Sequence, residues 1–170
     1  MSIKNKIEIS HLTCLSPAEG VEICPLYTEK KEGSTGVKEH LFSQETMLVT
    51  IAPGTVEELF VHHYQTDQLL VVQGSVVLVV LQNRSYQYIV MSDCEPVVIK
   101  IPPGIPHGVI NPTNKQCIML NGVLRHGPAH ERDYRPLKRP FPYDLEAVKT
   151  ILAEFHCPVS KSTINQQSSS

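Results

Sequence analysis

The chain has 170 residues, of which 41% are hydrophobic and 19% are charged, and its formal net charge is -2. This length suits one domain with residues to spare, and the composition is too apolar for a generally disordered chain. Because the charge is close to neutral, neither nucleic acid nor an anionic membrane is expected as a partner. The longest apolar block, residues 76–81, is far too short to cross a bilayer.

The N-terminus and the cysteines favour a cytoplasmic protein. The first nine residues contain neither an apolar core nor a small-residue cleavage site, so no secretory signal is expected. The cysteines are odd in number, widely spaced and without a CxxC pair, which disfavours a disulfide framework or a zinc cluster and predicts reduced thiols. They are Cys14, Cys24, Cys94, Cys117 and Cys157.

Most of the chain has a β pattern. We predict an N-terminal arm with strands that pack on a barrel over residues 1–45, and the barrel itself over residues 46–125. Within the barrel, short runs rich in β-branched and aromatic residues alternate with clusters of Gly, Pro, Asn or Asp, which predicts an all-β sandwich or barrel. The predicted strands are 47–51, 59–63, 68–72, 75–81, 86–90, 97–101, 107–110 and 116–120. Residues 82–85 are interpreted as the turn of a hairpin.

The C-terminal part is predicted to contain one helix. Residues 126–157 are divided into an irregular, proline-stiffened connection with solvated charges and a helix over 143–155, with Asp144 as the candidate N-cap. Residues 158–170 have little to bury and are predicted to be a disordered tail. The apolar positions of the helix, at helical spacing, are Leu145, Val148, Ile151, Leu152 and Phe155.

Histidines in or beside the predicted strands are the strongest candidates for chemistry. His62 and His63 are adjacent, Asp67 follows them, and His107 comes after the corner formed by residues 102–106. Because successive strand side chains face opposite ways, only one of the adjacent histidines faces the interior unless the strand carries a bulge. An imidazole held rigidly inside a barrel is a metal ligand, a general base or a hydrogen-bonded core residue.

The corner before His107 carries a resemblance to a known superfamily. Pro102, Gly104, His107 and Asn111 match the second motif of the cupins, G-x5-P-x-G-x2-H-x3-N, although Pro96 occupies the place of its first glycine. The resemblance covers roughly residues 47–123. It implies a cupin double-stranded β-helix, or jelly-roll, barrel with a short C-terminal α-helix, and it implies a homodimer.

The first cupin motif, H-x-H-x3-E-x6-G, is matched less fully. His63, Asp67 and Gly74 fit its second histidine, its acid and its glycine, whereas Val61 occupies the place of the first histidine. His62 lies one position off, and we expect it on the surface or in a dimer interface.

Within the cupins, residues 63–65, 71–76 and 101–108 look most like the dTDP-4-dehydrorhamnose 3,5-epimerase group of RmlC-like proteins. In that group the histidine matched by His63 removes protons next to a keto group. The group's arginine and lysine are replaced here by Phe60 and Asp67, and its tyrosine falls near Leu120 and Asn121. Classical rhamnose epimerase activity is therefore not expected.

Asp67 restores the acid of the metal-binding cupins. The resemblance then implies His63, Asp67 and His107 as ligands of Fe(II), Mn(II), Ni(II) or Zn(II), joined by His62 if the strand is bulged. His63 and His107 are alternatively the catalytic acid and base, while a salt bridge or a turn is the other interpretation of Asp67. No organic cofactor is expected.

Further candidates surround this set. Gln65 shares the predicted inward face of His63 and is a candidate substrate-binding residue, as is Tyr134, which is also a candidate acid. Tyr64, His126 and His130 are expected on the exterior.

Three functional hypotheses follow. The leading one is a metal-dependent enzyme of the isomerase, epimerase or oxygenase type that acts on a small molecule inside the barrel, with a sugar or sugar nucleotide as candidate substrate. The second is a non-catalytic ligand-binding or sensor barrel that has lost the epimerase residues. The third is a metal-free isomerase in which His63 is the base.

Overall fold

The computed structural model describes residues 7–12, 15–19, 21–23, 44–128, 131–133 and 135–156. The predicted tail over 158–170 lies outside these residues. No helix in the described ranges is long and apolar enough to cross a membrane. The elements are β1 (Glu8–His11), β2 (Leu15–Ala18), β3 (Val21–Ile23), β4 (Glu45–Ile51), β5 (Gln65–Gln73), β6 (Ser75–Gln82), β7 (Ser85–Ser92), β8 (Val97–Ile101), β9 (His107–Ile110), β10 (Cys117–Arg125) and α1 (Leu145–Glu154).

Two antiparallel sheets form the barrel. One has five strands in the order β1-β8-β5-β10-β4, and the other has three in the order β7-β6-β9, while β2 and β3 pair with each other. The inward side chains of both larger sheets meet in one apolar core, to which β5, β6, β8 and β10 all contribute. This arrangement confirms the predicted all-β fold.

Strand β6 is buried on both faces, which explains why its sequence is continuously apolar. Val76, Leu78 and Val80 belong to the core between the sheets. Val77 and Val79, which point the other way, belong to a second cluster with Val148 of α1. A strand covered on both sides loses the alternation of apolar and polar residues that marks a half-exposed strand.

The predicted helix and hairpin are confirmed. Helix α1 begins after Asp144, whose Oδ1 accepts a hydrogen bond of 2.9 Å from the backbone N–H of Ala147. An N-cap of this kind stabilises a helix by about 1 kcal/mol. Strands β6 and β7 are joined by Asn83 and Arg84, both at positive φ (52° and 61°), as a two-residue hairpin turn of the primed type requires.

The prediction of a strand over residues 59–63 is wrong. Leu59 and Phe60 form only isolated bridges, with Leu137 and His107. After Phe60 the backbone leaves the sheet: the carbonyl of His62 accepts from Gly104 N–H at 2.8 Å, and the N–H of His63 donates to a side chain. The composition of this segment is typical of a strand, but its backbone partners are a corner and a carboxylate.

The prediction that all the thiols are reduced is wrong at Cys94, which is disulfide-bonded. Cys117 is a free cysteine in the core, and burial raises the pKa of its thiol to about 11. Disulfide pairing depends on the distance and direction between two Cβ atoms, which the spacing of cysteines along a sequence does not reveal.

Gly108 allows the segment carrying Glu58 to lie close to β9. A Cβ at Gly108 would lie 2.6 Å from the backbone oxygen of Glu58, a distance at which the backbone must shift. We therefore expect Gly108→Ala to lower the free energy of unfolding by about 2 kcal/mol, as measured by urea denaturation.

Gly104→Ala provides the control for this measurement. Gly104 has a φ of 82°, but a Cβ there would meet no atom within 4 Å. Substitution of Gly104 by alanine should lower the free energy of unfolding only by the cost of a side chain at positive φ, which is about 1 kcal/mol. A Gly108→Ala protein no less stable than Gly104→Ala would contradict the close approach.

Candidate functional site

Asp67, in β5, is the centre of a buried polar cluster. The residue is 1% exposed, and its Oδ1 accepts hydrogen bonds from Gln65 Nε2 at 2.8 Å and from Asn121 Nδ2 at 2.9 Å. Its Oδ2 lies 3.4 Å from His62 Nε2 and 3.5 Å from His107 Nε2. This second oxygen is buried and accepts no hydrogen bond from the described residues.

The corner over residues 102–106 brings the two imidazoles to this carboxylate. Asp67 lies opposite Ile101, the last residue of β8, so the corner starts beside it. At the far end, His107 exchanges two backbone hydrogen bonds with Phe60, of 2.8 and 2.9 Å. Because Gly104 N–H also binds the carbonyl of His62, one corner positions both rings, whose centroids are 5.4 Å apart.

His107 has a defined tautomer. Its Nδ1 lies 2.9 Å from the carbonyl oxygen of Ile105, which can only accept, so Nδ1 carries the hydrogen. Burial lowers the pKa of His107, although the charge of Asp67 opposes this shift. In the neutral ring with its hydrogen on Nδ1, Nε2 carries a lone pair, and this atom lies 3.5 Å from Asp67 Oδ2. Two electron-rich atoms held this close favour a cation between them.

A second set of hydrogen bonds orients Asp67. Arg125 Nη1 donates to Gln65 Oε1 at 2.8 Å, which turns the amide nitrogen of Gln65 toward Asp67. The same guanidinium makes two bonds to the carboxylate of Glu45, at 2.9 and 3.1 Å, and this hydrogen bonding lowers the pKa of Glu45. The partners on β4, β5 and β10 thus form one continuous network.

The cluster opens onto a cavity of about 470 Å³. Its walls are predominantly apolar and include a few polar groups, as is usual for small-molecule sites. Glu57 also lines this cavity: its Oε2 accepts from Val109 N–H at 3.0 Å, and burial raises the pKa of its carboxyl. The apolar lining residues are Met47, Val49, Ile51, Ala52, Phe60, Leu69, Val109 and Met119.

The structure corrects the predicted placement of the adjacent histidines. His63, predicted inside as a base and metal ligand, is 37% exposed, and its Nδ1 lies 2.8 Å from Oδ1 of Asp133. His62, expected on the surface, lies instead in the cluster with Asp67 and His107. The alternation rule does not apply at residues 61–64, because this segment is not part of a sheet.

Of the remaining candidate residues that the structure describes, one is buried in the cluster and two are exposed. Gln65 is buried in the cluster, where its side-chain amide binds Asp67 and Arg125. Tyr64 is 47% exposed and His126 is exposed, as predicted. Tyr134 and His130 lie outside the described residues.

Sequence reasoning missed the roles of two cavity residues. Asn121 interrupts an otherwise apolar strand, and that signal could have marked it as an inward polar residue. Glu57 carries no such signal, because it precedes Glu58 in a segment without regular structure, and composition does not distinguish the inward glutamate from the outward one.

Burial of Glu57 predicts a pH-dependent difference in stability. Because its pKa in the folded state is raised, the neutral carboxyl favours folding below pH 4.5, and this contribution is lost as the pH rises through the raised value. Glu57→Gln keeps an acceptor for Val109 N–H and cannot ionise. Its melting temperature relative to wild type, measured in chelator from pH 4 to 8, should therefore increase with pH and level off once the raised pKa has been passed.

Glu58→Gln is the matched control, because Glu58 is ion-paired with Arg139 at 2.8 Å. This variant should show no such gain with rising pH. A relative melting temperature of Glu57→Gln that falls as the pH rises would contradict the argument.

Comparisons with known proteins show the fold. No family model matches the chain, and no curated protein matches it. QdtA, a sugar 3,4-ketoisomerase from Thermoanaerobacterium thermosaccharolyticum solved in complex with TDP, has a TM-score of 0.58 and 15% identity, covering 88% of this chain and 98% of that one. NovW, a 4-keto-6-deoxy sugar epimerase from Streptomyces spheroides, has a TM-score of 0.56 and 14% identity, covering 72% and 65%.

A third solved structure agrees with these two. The rmlC epimerase of Mycobacterium tuberculosis has a TM-score of 0.53 and 14% identity, covering 71% of this chain and 64% of that one. Likeness at such identities concerns the arrangement of the strands. The chain has the RmlC-like cupin fold.

Proposed function

We propose that this protein is a metal-binding cupin enzyme that isomerises or epimerises a small carbonyl compound in the barrel cavity. The observation that carries the proposal is the buried Oδ2 of Asp67, which faces two imidazole nitrogens and accepts no hydrogen bond from the described residues. A divalent cation would satisfy all three atoms together.

The residues present fit such an ion. The ligand atoms of His62, Asp67 and His107 all lie within 4.8 Å of one another. Donors that share one ion at about 2.1 Å lie about 3 to 3.5 Å apart, close to the two nitrogen–oxygen distances of 3.4 and 3.5 Å. Two imidazoles and one carboxylate suit Fe(II), Mn(II), Ni(II) or Zn(II).

The surroundings of the ligands support the same conclusion. Ligating histidines commonly donate their other N–H to a backbone carbonyl, as His107 does to Ile105. Ligating carboxylates are in turn hydrogen-bonded, as Asp67 is by Gln65 and Asn121. These bonds leave Nε2 of His107 and Oδ2 of Asp67 available on the side of the cluster.

The residues of the chain then have distinct roles. His62, Asp67 and His107 hold the metal, which when bound supplies a Lewis acid that polarises a carbonyl oxygen. Arg125 and Gln65 keep the Asp67 carboxylate in position. The apolar walls restrict water, so charges and dipoles in the cavity act in a low dielectric.

A keto sugar, free or as a sugar nucleotide, is the substrate class that we favour. It is supported by the ligand of a structure with the same fold, a QdtA mutant in complex with TDP-4-keto-6-deoxyglucose, which has a TM-score of 0.58 at 14% identity. A homodimer, which the fold resemblance implies, is part of the proposal and is tested by light scattering of the purified protein.

A non-catalytic binding barrel is the second candidate, and one observation favours it. Phe60 and Asn121 line the cavity and Asp67 lies in its polar cluster, at or near the places where the epimerase group carries an arginine, a tyrosine and a lysine. Stoichiometric ligand binding without turnover would support this candidate over the enzyme.

The adjacent histidines provide a matched test of the metal site. After chelation and reloading with Zn(II), the wild-type protein should retain about one equivalent by elemental analysis. Loss of one of three ligands should weaken affinity at least about 100-fold in His62→Ala and in His107→Ala. His63→Ala should bind as wild type does, because His63 lies outside the cluster. Equal loss in His62→Ala and His63→Ala, or no binding by wild type, would refute the site.

The orienting role of Gln65 gives an independent prediction. Gln65→Met removes the hydrogen bond to Asp67 and should weaken Zn(II) affinity by about 10- to 100-fold, measured by competition with a chromogenic chelator. Gln68→Met is the control, since Gln68 is a buried glutamine of the same strand whose Nε2 donates to Gly122. The prediction fails if the two variants bind Zn(II) equally well.

A further inference from the structure

We propose that Glu57 is the residue that takes protons from the ligand in the cavity and returns them. This inference rests on the proposed function and assigns the proton-transfer step to a residue outside the metal cluster. The geometry that carries it is a half-buried carboxyl in the cavity wall, fixed at one oxygen and available at the other.

The position of the carboxyl is well defined. Oε2 of Glu57 accepts from Val109 N–H at 3.0 Å, and the backbone N–H of Glu57 donates to Val109 O at 3.1 Å. Among the described residues, no group donates a hydrogen bond to Oε1. The side chain is thus anchored to β9 two residues beyond His107, with one oxygen left for a ligand.

A comparison of the titratable side chains that line the cavity also favours Glu57 as the base. The titratable side chains among the described residues that line the cavity are Glu57, His62 and His107. If the two imidazoles bind a metal through their lone pairs, they cannot also accept a proton there. Glu57 is then the one described base in the wall that remains available.

The environment suits proton transfer in both directions. A carboxyl in an apolar wall is a stronger base than one in water, because burial disfavours its charged form. A base whose pKa lies closer to neutral pH both accepts a proton from carbon and returns it efficiently.

The step is balanced without another reactant. Glu57 carboxylate takes the proton from the carbon next to a carbonyl, and the C–H electron pair becomes the C=C bond of an enolate while the negative charge moves to the carbonyl oxygen. Return of a proton from the Glu57 carboxyl to carbon restores the carbonyl and the carboxylate. In D2O the proton on Glu57 exchanges with solvent, so each cycle can place deuterium on carbon.

Glu58 provides a control in the adjacent position. Its Oε1 accepts from Arg139 Nη2 at 2.8 Å, and it lines a surface groove rather than the cavity. Substitution of either glutamate by glutamine removes one negative charge, but only Glu57→Gln removes a base from the cavity.

The experiment follows deuterium incorporation into dihydroxyacetone by proton NMR, with the full chain loaded with Zn(II). Wild type should accelerate exchange over buffer, and Glu57→Gln should reduce that acceleration at least about 100-fold while Zn(II) content stays unchanged. Glu58→Gln should remain within about twofold of wild type. As a readout besides activity, dihydroxyacetone should change the infrared carboxyl bands of wild type but not those of Glu57→Gln.

Wild-type exchange rates in Glu57→Gln would overturn the role of Glu57 and leave the metal enzyme standing. Absence of exchange in Zn(II)-loaded wild type would overturn the proposed enzyme and the role of Glu57 together. Loss of Zn(II) from Glu57→Gln would place Glu57 among the metal-holding residues and overturn its assignment as the base.

Discussion

The carboxylate of Asp67 is the constraint around which the polar interior is arranged. An ionised group that is 1% exposed costs several kcal/mol to desolvate unless its neighbours compensate it. Two amides satisfy Oδ1, and two imidazoles approach Oδ2 without a hydrogen bond. The guanidinium of Arg125 is connected to Asp67 through Gln65, and it also makes two hydrogen bonds to Glu45. The negative charge that these bonds leave uncompensated is therefore at Oδ2, between Asp67 and the two rings.

The backbone holds the two imidazoles beside the Asp67 carboxylate. The rings of His62 and His107 are both tied to the corner that follows β8, and β8 pairs with the strand that carries Asp67. Backbone hydrogen bonds therefore fix the segments that carry the three groups, and side-chain hydrogen bonds from Gln65 and Asn121 fix the Asp67 carboxylate. Preorganisation of this kind reduces the entropy lost when a ligand or an ion binds.

Sequence patterns predicted the elements whose rules are local. The cap at Asp144, the turn at Asn83–Arg84 and the corner before His107 all depend on residues that are close in the chain. The placement of His62 and His63 could not be predicted in this way, because it depends on hydrogen bonds to Gly104 and to Asp133, 42 and 70 residues away. The same limit applies to Glu57, whose side chain is oriented by Val109, and to the disulfide of Cys94.

Asp133 fixes the register of the segment that contains the two histidines. It is fully buried, and its Oδ1 accepts from both the backbone N–H and the ring Nδ1 of His63, at 2.9 and 2.8 Å. A slip of one residue would bring His63 toward the cavity at the cost of both bonds to a buried carboxylate, a penalty of a few kcal/mol. The buried carboxylate of Asp133 thus distinguishes two adjacent side chains of the same type: it binds His63, and His62 lies in the cluster with Asp67.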